Sequence, residues 1–348
     1  MWFSGVLLKW YDKHGRHDLP WQTPRDPYRV WISEIMLQQT QVSTVIPYFE
    51  KFMAAFPDVH HLAKAPIDTV LKYWAGLGYY ARGRNLHKAA QILVEAYQGK
   101  LPRDLNSLIA LPGIGASTAA AILAQSYGIR ATILDGNVKR VLSRFHAIAG
   151  WPGEKPVEAA LWQHAQGHTP HQRLADYTQA IMDLGATLCT RTRPQCPVCP
   201  LKTRCLAHAG NNVLDYPGKA PKKTLPTREV FIVCLLDPHN KLFLEKRADQ
   251  GIWGGLWSFP EYPTESALKQ ALNTSFNLKK AILQKLPMVK HSFTHYHLQI
   301  HPRMLVLSAA QARRIQGWIT PKQCHTIGLP APIRKIVDTQ IIPSIILS

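Results

Sequence analysis

The sequence predicts a multidomain protein in which an all-α region comes first and an α+β region follows. The chain has 348 residues, enough for about two domains of ordinary size. Up to about residue 186, apolar residues recur at helical spacings of three and four, and strand-like runs begin only near residue 229. A stretch rich in Pro and Lys separates the two patterns. We expect a helical region over 1–211, a linker over 212–226 and an α+β domain over 227–348.

Local signals divide the helical region into elements. Apolar residues at helical spacing, such as Val42, Ile46 and Phe49, predict amphipathic helices, and Ser33 is expected to begin one of them. Residues 104–124 are expected to form a helix, a tight Pro-Gly-x-Gly turn and a second helix.

Strands dominate the second region. Residues 229–236 and 241–246 predict a hairpin around a turn at 237–240. A helix near 265–273 and a strand at 297–307 complete an α+β domain of about 120 residues, which is a common domain size.

The composition restricts both the class of protein and its partners. Hydrophobic residues make up 46% of the chain, too many for a disordered protein. The chain has 41 Lys and Arg against 22 Asp and Glu, and the resulting formal charge of +19 favours a polyanion such as nucleic acid. Because the sequence contains no secretory signal and no apolar stretch of membrane-spanning length, we expect an intracellular, cytoplasmic protein without a membrane partner.

Four of the six cysteines are clustered with the spacing C-x6-C-x2-C-x5-C. In a chain without a secretory signal, such a cluster favours a metal site over disulfide bonds. Zinc and a [4Fe-4S] cluster both accept four thiolates, and the spacing does not choose between them. Cys234 stands apart in an apolar run and is expected to be a small buried side chain. The clustered residues are Cys189, Cys196, Cys199 and Cys205.

The Pro-Gly-x-Gly turn has the properties of a phosphate-binding turn. Gly113 and Gly115 let the backbone approach a surface closely, and the amides that open the next helix are available to an anion. The basic composition favours DNA phosphate as that anion, although a plain loop between packed helices also favours Pro and Gly. Farther along, Asp135 precedes a glycine, where an Asp taken alone is most often a turn or helix-cap residue.

Three segments together resemble one family: residues 33–41, residues 111–115 with Asp135 downstream, and the cysteine cluster. On these motifs the chain resembles the MutY family, the adenine-specific mismatch DNA glycosylases of the endonuclease III superfamily. The resemblance covers nearly the whole chain. It implies an all-α helix-hairpin-helix glycosylase region with a [4Fe-4S] cluster loop at 189–205, followed by a Nudix-like domain. It also implies a monomer that acts on double-stranded DNA containing adenine opposite 8-oxoguanine or guanine.

Hydrolysis of a purine N-glycosidic bond needs two carboxyl groups. One protonates the leaving base, and the other stabilises the oxocarbenium-like sugar. Glu34 has apolar neighbours on both sides, which should raise its pKa and keep a proton available, whereas Asp135 is expected to stay ionised. The resemblance implies that Glu34 protonates adenine at N7 and that Asp135 stabilises or transiently captures C1′. Without the resemblance, Glu34 would be interpreted as a surface glutamate.

The resemblance also implies contacts with DNA. The Gln-Gln-Thr turn would probe the base opposite the target, and Tyr79 would act as a wedge in the base stack. Lys139, at the start of the helix after Asp135, is expected to contact a phosphate. Taken alone, Tyr79 and Tyr80 read as a packing pair at a helix start, and Lys139 as a solvated side chain. The DNA-contacting residues implied are Gln38, Gln39, Thr40, Tyr79, Gly113, Gly115, Ser117 and Lys139.

In the second domain, Phe293, Thr294 and His295 align with the family's Phe-Ser-His loop and are expected to approach 8-oxoguanine. Thr294 keeps the hydroxyl of the usual serine and adds a methyl group. Taken alone, a His-rich turn would suggest metal binding. Nudix-type hydrolysis needs a Glu-rich helix to hold divalent metals, and the corresponding segment offers only Glu261 and Glu265. The domain is therefore expected to recognise the lesion without hydrolysing nucleotides.

Two other functions remain open. A bifunctional glycosylase and lyase resembling endonuclease III would normally carry a lysine in the hairpin helix, where this chain has Ser117, and would lack the second domain. A non-catalytic DNA-binding protein with a redox-sensing cluster would have no need of both Glu34 and Asp135. The sequence therefore favours a monofunctional adenine glycosylase.

Overall fold

The computed structural model describes residues 2–221, 224–248, 251–279 and 281–346. The chain divides into two compact units, each made from two stretches of sequence: Met1–Lys64 with Asn85–Lys222, and Ala65–Arg84 with Lys223–Ser348. Residues 65–84 thus group with the carboxy-terminal part of the chain. The linker expected at 212–226 stays a prediction, and its residues 222 and 223 lie outside the described part of the chain.

The first unit is helical, as the periodicity predicted. Helix α5 and the first turn of α6 belong to the second unit, and the other helices up to α12 belong to the first. The helices are α1 (Trp2–His14), α2 (Pro27–Leu37), α3 (Val42–Ala55), α4 (Val59–Lys64), α5 (Ile67–Trp74), α6 (Ala81–Tyr97), α7 (Leu105–Ile109), α8 (Ala116–Tyr127), α9 (Gly136–Phe145), α10 (Lys155–His168), α11 (Leu174–Thr187) and α12 (Leu206–Ala209).

The expected helix start at Ser33 is wrong. Helix α2 begins six residues earlier, where Asp26 caps it by accepting hydrogen bonds from the amides of Tyr28 and Arg29, and where Pro27 occupies the first helical position. An Asp cap followed by Pro is a strong helix start, because Pro has no amide hydrogen to leave unpaired. Ser33 lies inside the helix and donates its hydroxyl to the carbonyl of Val30. Glu34 therefore lies inside α2, in the last turn of the helix.

The expected helix-turn-helix over residues 104–124 is confirmed by α7 and α8. Asp104 caps α7 by accepting from the amide of Ser107. In the turn Gly113 has a φ of 82°, which a residue with a side chain adopts only under strain. The segment 119–124 of α8 is buried and consists mostly of alanine, and these small side chains let α8 pack closely against α2.

The second unit contains a sheet with helices. The strands of this unit are β1 (Thr227–Leu236), β2 (Leu242–Phe243), β3 (Glu245–Lys246), β4 (Trp257–Ser258), β5 (Glu261–Tyr262), β6 (Gln284–Lys285), β7 (Val289–Ser292), β8 (His297–Val306) and β9 (Trp318–Ile319). Its remaining helices are α13 (Glu265–Thr274), α14 (Ala309–Ala312), α15 (Pro321–Cys324), α16 (Ala331–Ile336) and α17 (Ile342–Ile346), with a π-helical turn at Val337–Ile341. None of the helices in the described ranges of the chain is both long and apolar enough to cross a membrane.

The main sheet has the strand order β6-β8-β1-β2-β9, with β5 also paired to β1 and β7 to β8. The expected hairpin is confirmed, since β1 and β2 are antiparallel with Leu236 opposite Leu242. Its second strand is shorter than expected, because the chain leaves the main sheet after Phe243 and β3 pairs with β4 instead. The centre of the sheet is a ten-residue parallel pair of β1 and β8.

Strand β1 has side chains in two cores. Ile232, Cys234 and Leu236 belong to one cluster of buried residues, which includes side chains of α16. Val233 and Leu235 belong to another, which includes side chains of α13. This alternation is what a strand covered on both faces requires. Cys234 is fully buried, as its apolar surroundings predicted.

Candidate active site

One pocket of the first unit collects the side chains that the resemblance assigns to the chemistry. Its volume is about 950 Å³, at the upper end of the usual range for small-molecule sites, so it has room for a nucleoside. Glu34 reaches it from α2 and Asp135 from the start of α9. Ser117, Gln38 and Thr40 also line it. The fold therefore brings Glu34 and Asp135 into one pocket although they are 101 positions apart in the sequence.

The Glu34 carboxyl is prepared to hold a proton. Burial raises its pKa from the ordinary 4.5 to about 7, and the nearby Asp135 carboxylate raises it as well. A hydrogen bond from the Gln125 amide to Oε1, 2.9 Å long, acts in the opposite direction. The raised pKa agrees with the expectation from the apolar flanks of Glu34. An acid with a pKa near ambient pH is effective in proton transfer.

Asp135 is the N-terminal cap of α9. One carboxyl oxygen accepts a hydrogen bond from the Val138 amide at 2.8 Å, and the other accepts from the Asn137 side chain at 3.1 Å. Burial has the largest effect and raises the pKa of this carboxyl above its ordinary value, while both hydrogen bonds lower the pKa and so favour the ionised form. The amino-terminal end of a helix also favours a negative charge. The interpretation of Asp135 as a cap is thus confirmed, and the same geometry supports a carboxylate that faces the pocket.

Ser117 is engaged in positioning the backbone beside Asp135. Its Oγ accepts a hydrogen bond of 3.1 Å from the amide of Leu134. The hairpin turn is tied to the Gln-Gln-Thr segment in a similar way, because the Gln38 side chain donates to the carbonyl of Gly113 at 3.3 Å. Two of the motifs that are separate in the sequence are therefore in direct contact.

The structure adds residues that the sequence analysis did not identify. Arg16 and Gln179 line the pocket, and both donate to the buried carboxylate of Asp183, Arg16 through Nη2 at 2.6 Å and Gln179 through Nε2 at 2.7 Å. A buried carboxylate needs such partners. Asp183 could have been noticed as a charge within an apolar stretch of α11, but nothing local marks Arg16 or Gln125, because their partners are 167 and 91 positions away.

Other predicted DNA contacts are not gathered at this pocket. Gln39 is exposed in the turn after α2, with a φ of 58°. Lys139 forms an ion pair with Glu158, with 2.6 Å between Nζ and Oε1. Tyr79 belongs to the second unit, where its side chain is half exposed. The roles of these residues stay predictions.

The four clustered cysteines line one small cavity of the first unit, together with Arg144. No group of three or more His, Cys, Asp or Glu side chains in the described part of the chain is arranged to hold a metal ion. Arg144 nevertheless makes this a suitable place for an anionic centre.

The Arg144 side chain is buried beneath the cysteine loop. Its guanidinium donates to backbone carbonyls, including those of Thr190 and Arg191, and Nη1 lies 3.3 Å from the Cys189 sulfur. Among the described residues, no carboxylate pairs with it. A buried cation is stabilised by a nearby anion, and four thiolates around a metal supply one. The residues therefore fit a metal–thiolate centre.

The three residues implied in lesion recognition lie in the turn between β7 and β8. The turn is closed by a hydrogen bond of 2.9 Å from the Phe293 amide to the carbonyl of Tyr296. Thr294 and His295 are exposed at its tip. The Phe293 ring packs against the rings of Trp253 and Tyr296, with centroids 5.2 and 4.8 Å apart. The turn thus presents two polar side chains above a cluster of packed aromatic rings.

Comparison with known proteins defines the class. Residues 32–166 match the model of the HhH-GPD superfamily of base excision DNA repair proteins, and residues 231–339 match the model of the NUDIX domain. Among solved structures, a thermostable thymine-DNA glycosylase has a TM-score of 0.53 and 27% identity, covering 60% of this chain and 95% of that one. The fold and the site define a DNA glycosylase of the helix-hairpin-helix superfamily, joined to a Nudix-like domain.

Curated relatives identify the family within this class. The adenine DNA glycosylase of Buchnera aphidicola subsp. Schizaphis graminum is 39% identical, over 97% of this chain and 98% of its own length. The human adenine DNA glycosylase is 34% identical, over 96% of this chain and 73% of its own length. The chain belongs to the adenine DNA glycosylase family, which makes it an enzyme that hydrolyses N-glycosyl bonds in DNA.

Proposed function

We propose that the protein removes adenine paired with 8-oxoguanine or guanine in double-stranded DNA and leaves the sugar–phosphate strand intact. The observation that carries the proposal is the presence of Glu34 and Asp135 in one pocket that has room for a nucleoside. In this proposal the protein acts as a monomer on DNA inside the cell. Its glycosylase region ends at the linker of residues 212–226.

In the proposed mechanism Glu34 is the general acid. Gln125 donates to its Oε1, which leaves Oε2 to carry the proton and deliver it to N7 of adenine. As the bond between C1′ and the base breaks, its electron pair moves into the protonated base. Asp135, held by Val138 and Asn137, stabilises the positive charge that develops on the sugar. Water then adds at C1′ and gives its proton to the Glu34 carboxylate, which restores the acid, so the products are adenine and an abasic site.

The remaining predicted residues bind the DNA in this proposal. Gln38, Gln39 and Thr40 inspect the base opposite the adenine, and Gly113, Gly115 and Ser117 follow the phosphate backbone at the hairpin. Lys139 reaches a phosphate by exchanging its Glu158 partner for DNA. Tyr79 is the wedge, and its half-exposed ring is available to stack on bases. Phe293, Thr294 and His295 form the lesion-reading loop.

The proposed cofactor is a [4Fe-4S] cluster at Cys189, Cys196, Cys199 and Cys205. The cavity that these residues share, and the buried charge of Arg144 beside it, support an anionic metal–thiolate centre. Such a centre would supply bonds that cross-link the loop of residues 189–205, and no step of the hydrolysis depends on it.

We expect iron rather than zinc at the four cysteines. Protein purified without oxygen should be yellow-brown and contain about four iron atoms per chain, the content of one [4Fe-4S] cluster. Replacing Cys199 by Ser should remove the colour, whereas replacing the buried Cys234 by Ala, away from the loop, should not. Elemental analysis that finds stoichiometric zinc and no iron would reverse the assignment.

We expect the enzyme to be monofunctional because Ser117 cannot form a Schiff base. A serine hydroxyl has no amine, and here it is engaged with the Leu134 amide. Borohydride added during the reaction should therefore trap little covalent protein–DNA complex, and strand breaks should appear only after alkali. If the Lys139 amine reacts with the aldehyde of the abasic site, replacing Lys139 by Gln should abolish the residual trapping. Efficient trapping, with breaks forming at the rate of adenine release, would establish a lyase.

The experiment that tests the function compares duplexes that differ in one base pair. Adenine release should be fast from A:8-oxoguanine, slower from A:G and undetectable from A:T, with alkali revealing the abasic sites. A 5-hydroxycytosine:G duplex tests the oxidised-pyrimidine alternative. Excision of the pyrimidine and not of adenine would replace the proposal by that alternative. DNA binding without any excision would favour the other alternative, a non-catalytic DNA-binding protein with a redox-sensing cluster.

A further inference from the structure

The turn that carries Tyr79, residues 76–80, holds that residue in a strained backbone conformation. Gly76 and Gly78 adopt φ values of 104° and 72° without strain, but Tyr79 has a φ of 48°, where a residue with a side chain is uncommon. Arg82 holds the turn by donating to the carbonyls of Leu77 and Gly78 at 3.2 Å, and its guanidinium lies 5.5 Å from the Tyr79 ring centroid. Strain of this kind persists only where the surroundings impose it.

The surroundings are the Nudix-like part of the same unit. The buried Tyr80 donates its hydroxyl to the carbonyl of Leu329 at 3.3 Å, and the same oxygen accepts from the amide of Gly76 at 3.4 Å. Four residues later, Arg84 Nη1 donates to the carbonyl of Gly254 at 2.5 Å. Two hydrogen bonds thus anchor the Tyr79 turn to the Nudix-like part of the unit. Tyr80 makes the first at the end of the turn, and Arg84 makes the second one helical turn later.

Both anchors are next to residues that pack against the lesion-reading loop, residues 293–295. Gly254 follows Trp253, whose φ is 57° and whose ring packs on Phe293. Leu329 belongs to the same cluster of buried side chains as Tyr296, on which Phe293 also packs. Close-packed interiors transmit displacement, because few voids are available to absorb it. Contacts therefore run without interruption from the lesion-reading loop to the Tyr79 turn.

We propose that Tyr80 and Arg84 are positioning residues that couple the lesion-reading loop to the Tyr79 turn. Binding of 8-oxoguanine at Phe293 then fixes the position of the wedge. The proposal rests on the proposed roles of Tyr79 and Phe293. Neither positioning residue needs to touch DNA, and the preference for 8-oxoguanine over guanine depends on both because they transmit the recognition.

The test uses full-length Tyr80→Phe, which removes only the bridging hydroxyl. The preference for A:8-oxoguanine over A:G, measured as a ratio of single-turnover excision rates, should fall about 5- to 10-fold, in the lower range of measured site-to-site couplings. Tyr127→Phe is the matched control, since it deletes a hydroxyl that donates to the Leu101 carbonyl in the other unit. The control should keep the wild-type preference. Arg84→Met, which cuts the second anchor, should behave like Tyr80→Phe.

A double-mutant cycle decides the inference. If the two segments are coupled, Tyr80→Phe combined with Phe293→Ala should lose no more preference than the worse single variant. If the losses multiply, or if Tyr80→Phe and Arg84→Met both match Tyr127→Phe, the coupling does not exist.

A separate readout tests the underlying roles. A 2-aminopurine next to 8-oxoguanine reports stacking by the wedge in stopped-flow fluorescence, and Tyr79→Ala should abolish the signal while Tyr80→Phe weakens it. If Tyr79→Ala keeps the full signal, the wedge assignment of the proposed function fails, and the cycle still decides whether the turn and the loop are coupled.

Discussion

Replacing Glu34 by Gln is expected to slow adenine excision by about 10²–10⁴-fold, the usual contribution of a general acid. The amide has nearly the same volume and can still pair with Gln125, but it has no proton of suitable acidity to give to the leaving base. Single-turnover rates on an A:8-oxoguanine duplex measure the chemical step, and a binding assay on the same duplex should give nearly the wild-type affinity.

The control for this variant is Glu50→Gln, which makes the same change on the exposed surface of α3. It should excise adenine at the wild-type rate. A Glu34→Gln enzyme within a few-fold of wild type would remove Glu34 from the mechanism. Loss of binding together with activity would instead indicate that the substitution disturbs the pocket.

The same residue predicts the pH dependence of the wild-type rate. Only the protonated carboxyl can act as the acid, and the pKa of Glu34 is about 7. The excision rate should therefore be highest below pH 7 and decrease as the pH rises through 7, by about tenfold per unit well above it. Glu34→Gln should lack this decrease. If the variant keeps the same alkaline limb, another group is responsible for it.

Much of this arrangement could be predicted from local sequence. The change from helical to strand periodicity gave the fold class, and the Pro-Gly-x-Gly turn gave the hairpin of α7 and α8. The raised pKa of Glu34 was expected because its immediate neighbours in α2 are apolar. In each case, the residues that determine the feature lie within a few positions of it.

Features that depend on distant residues could not be predicted. The parallel pairing of β1 with β8 joins strands about 70 positions apart, and no local signal specifies that register. Gln125 contributes to the Glu34 environment from another helix. The grouping of residues 65–84 with the carboxy-terminal part depends on bonds such as Arg84 to Gly254, which are 170 positions apart.

Replacing Asp135 by Asn is expected to reduce excision by at least about 10²-fold, the lower range for loss of one group that stabilises charge in the transition state. The variant should fold normally, because Asn and Asp are similar as helix caps and the Asn side-chain oxygen can still accept from the Val138 amide. What the substitution removes is the negative charge opposite the developing positive charge of the sugar. The effect should therefore appear in the single-turnover rate and not in thermal stability.

Asp104→Asn separates charge at the reaction site from charge at a helix cap. Asp104 caps α7 through the Ser107 amide as Asp135 caps α9 through Val138, but Asp104 does not line the pocket. Both variants should keep their helix cap and their thermal stability, and only Asp135→Asn should lose activity. Equal rates in the two variants would reduce Asp135 to a cap and leave Glu34 alone to provide the chemistry. A second carboxylate would then have to be sought along the pocket wall, where Asp18 is the remaining one besides Glu34 and Asp135 among the described residues.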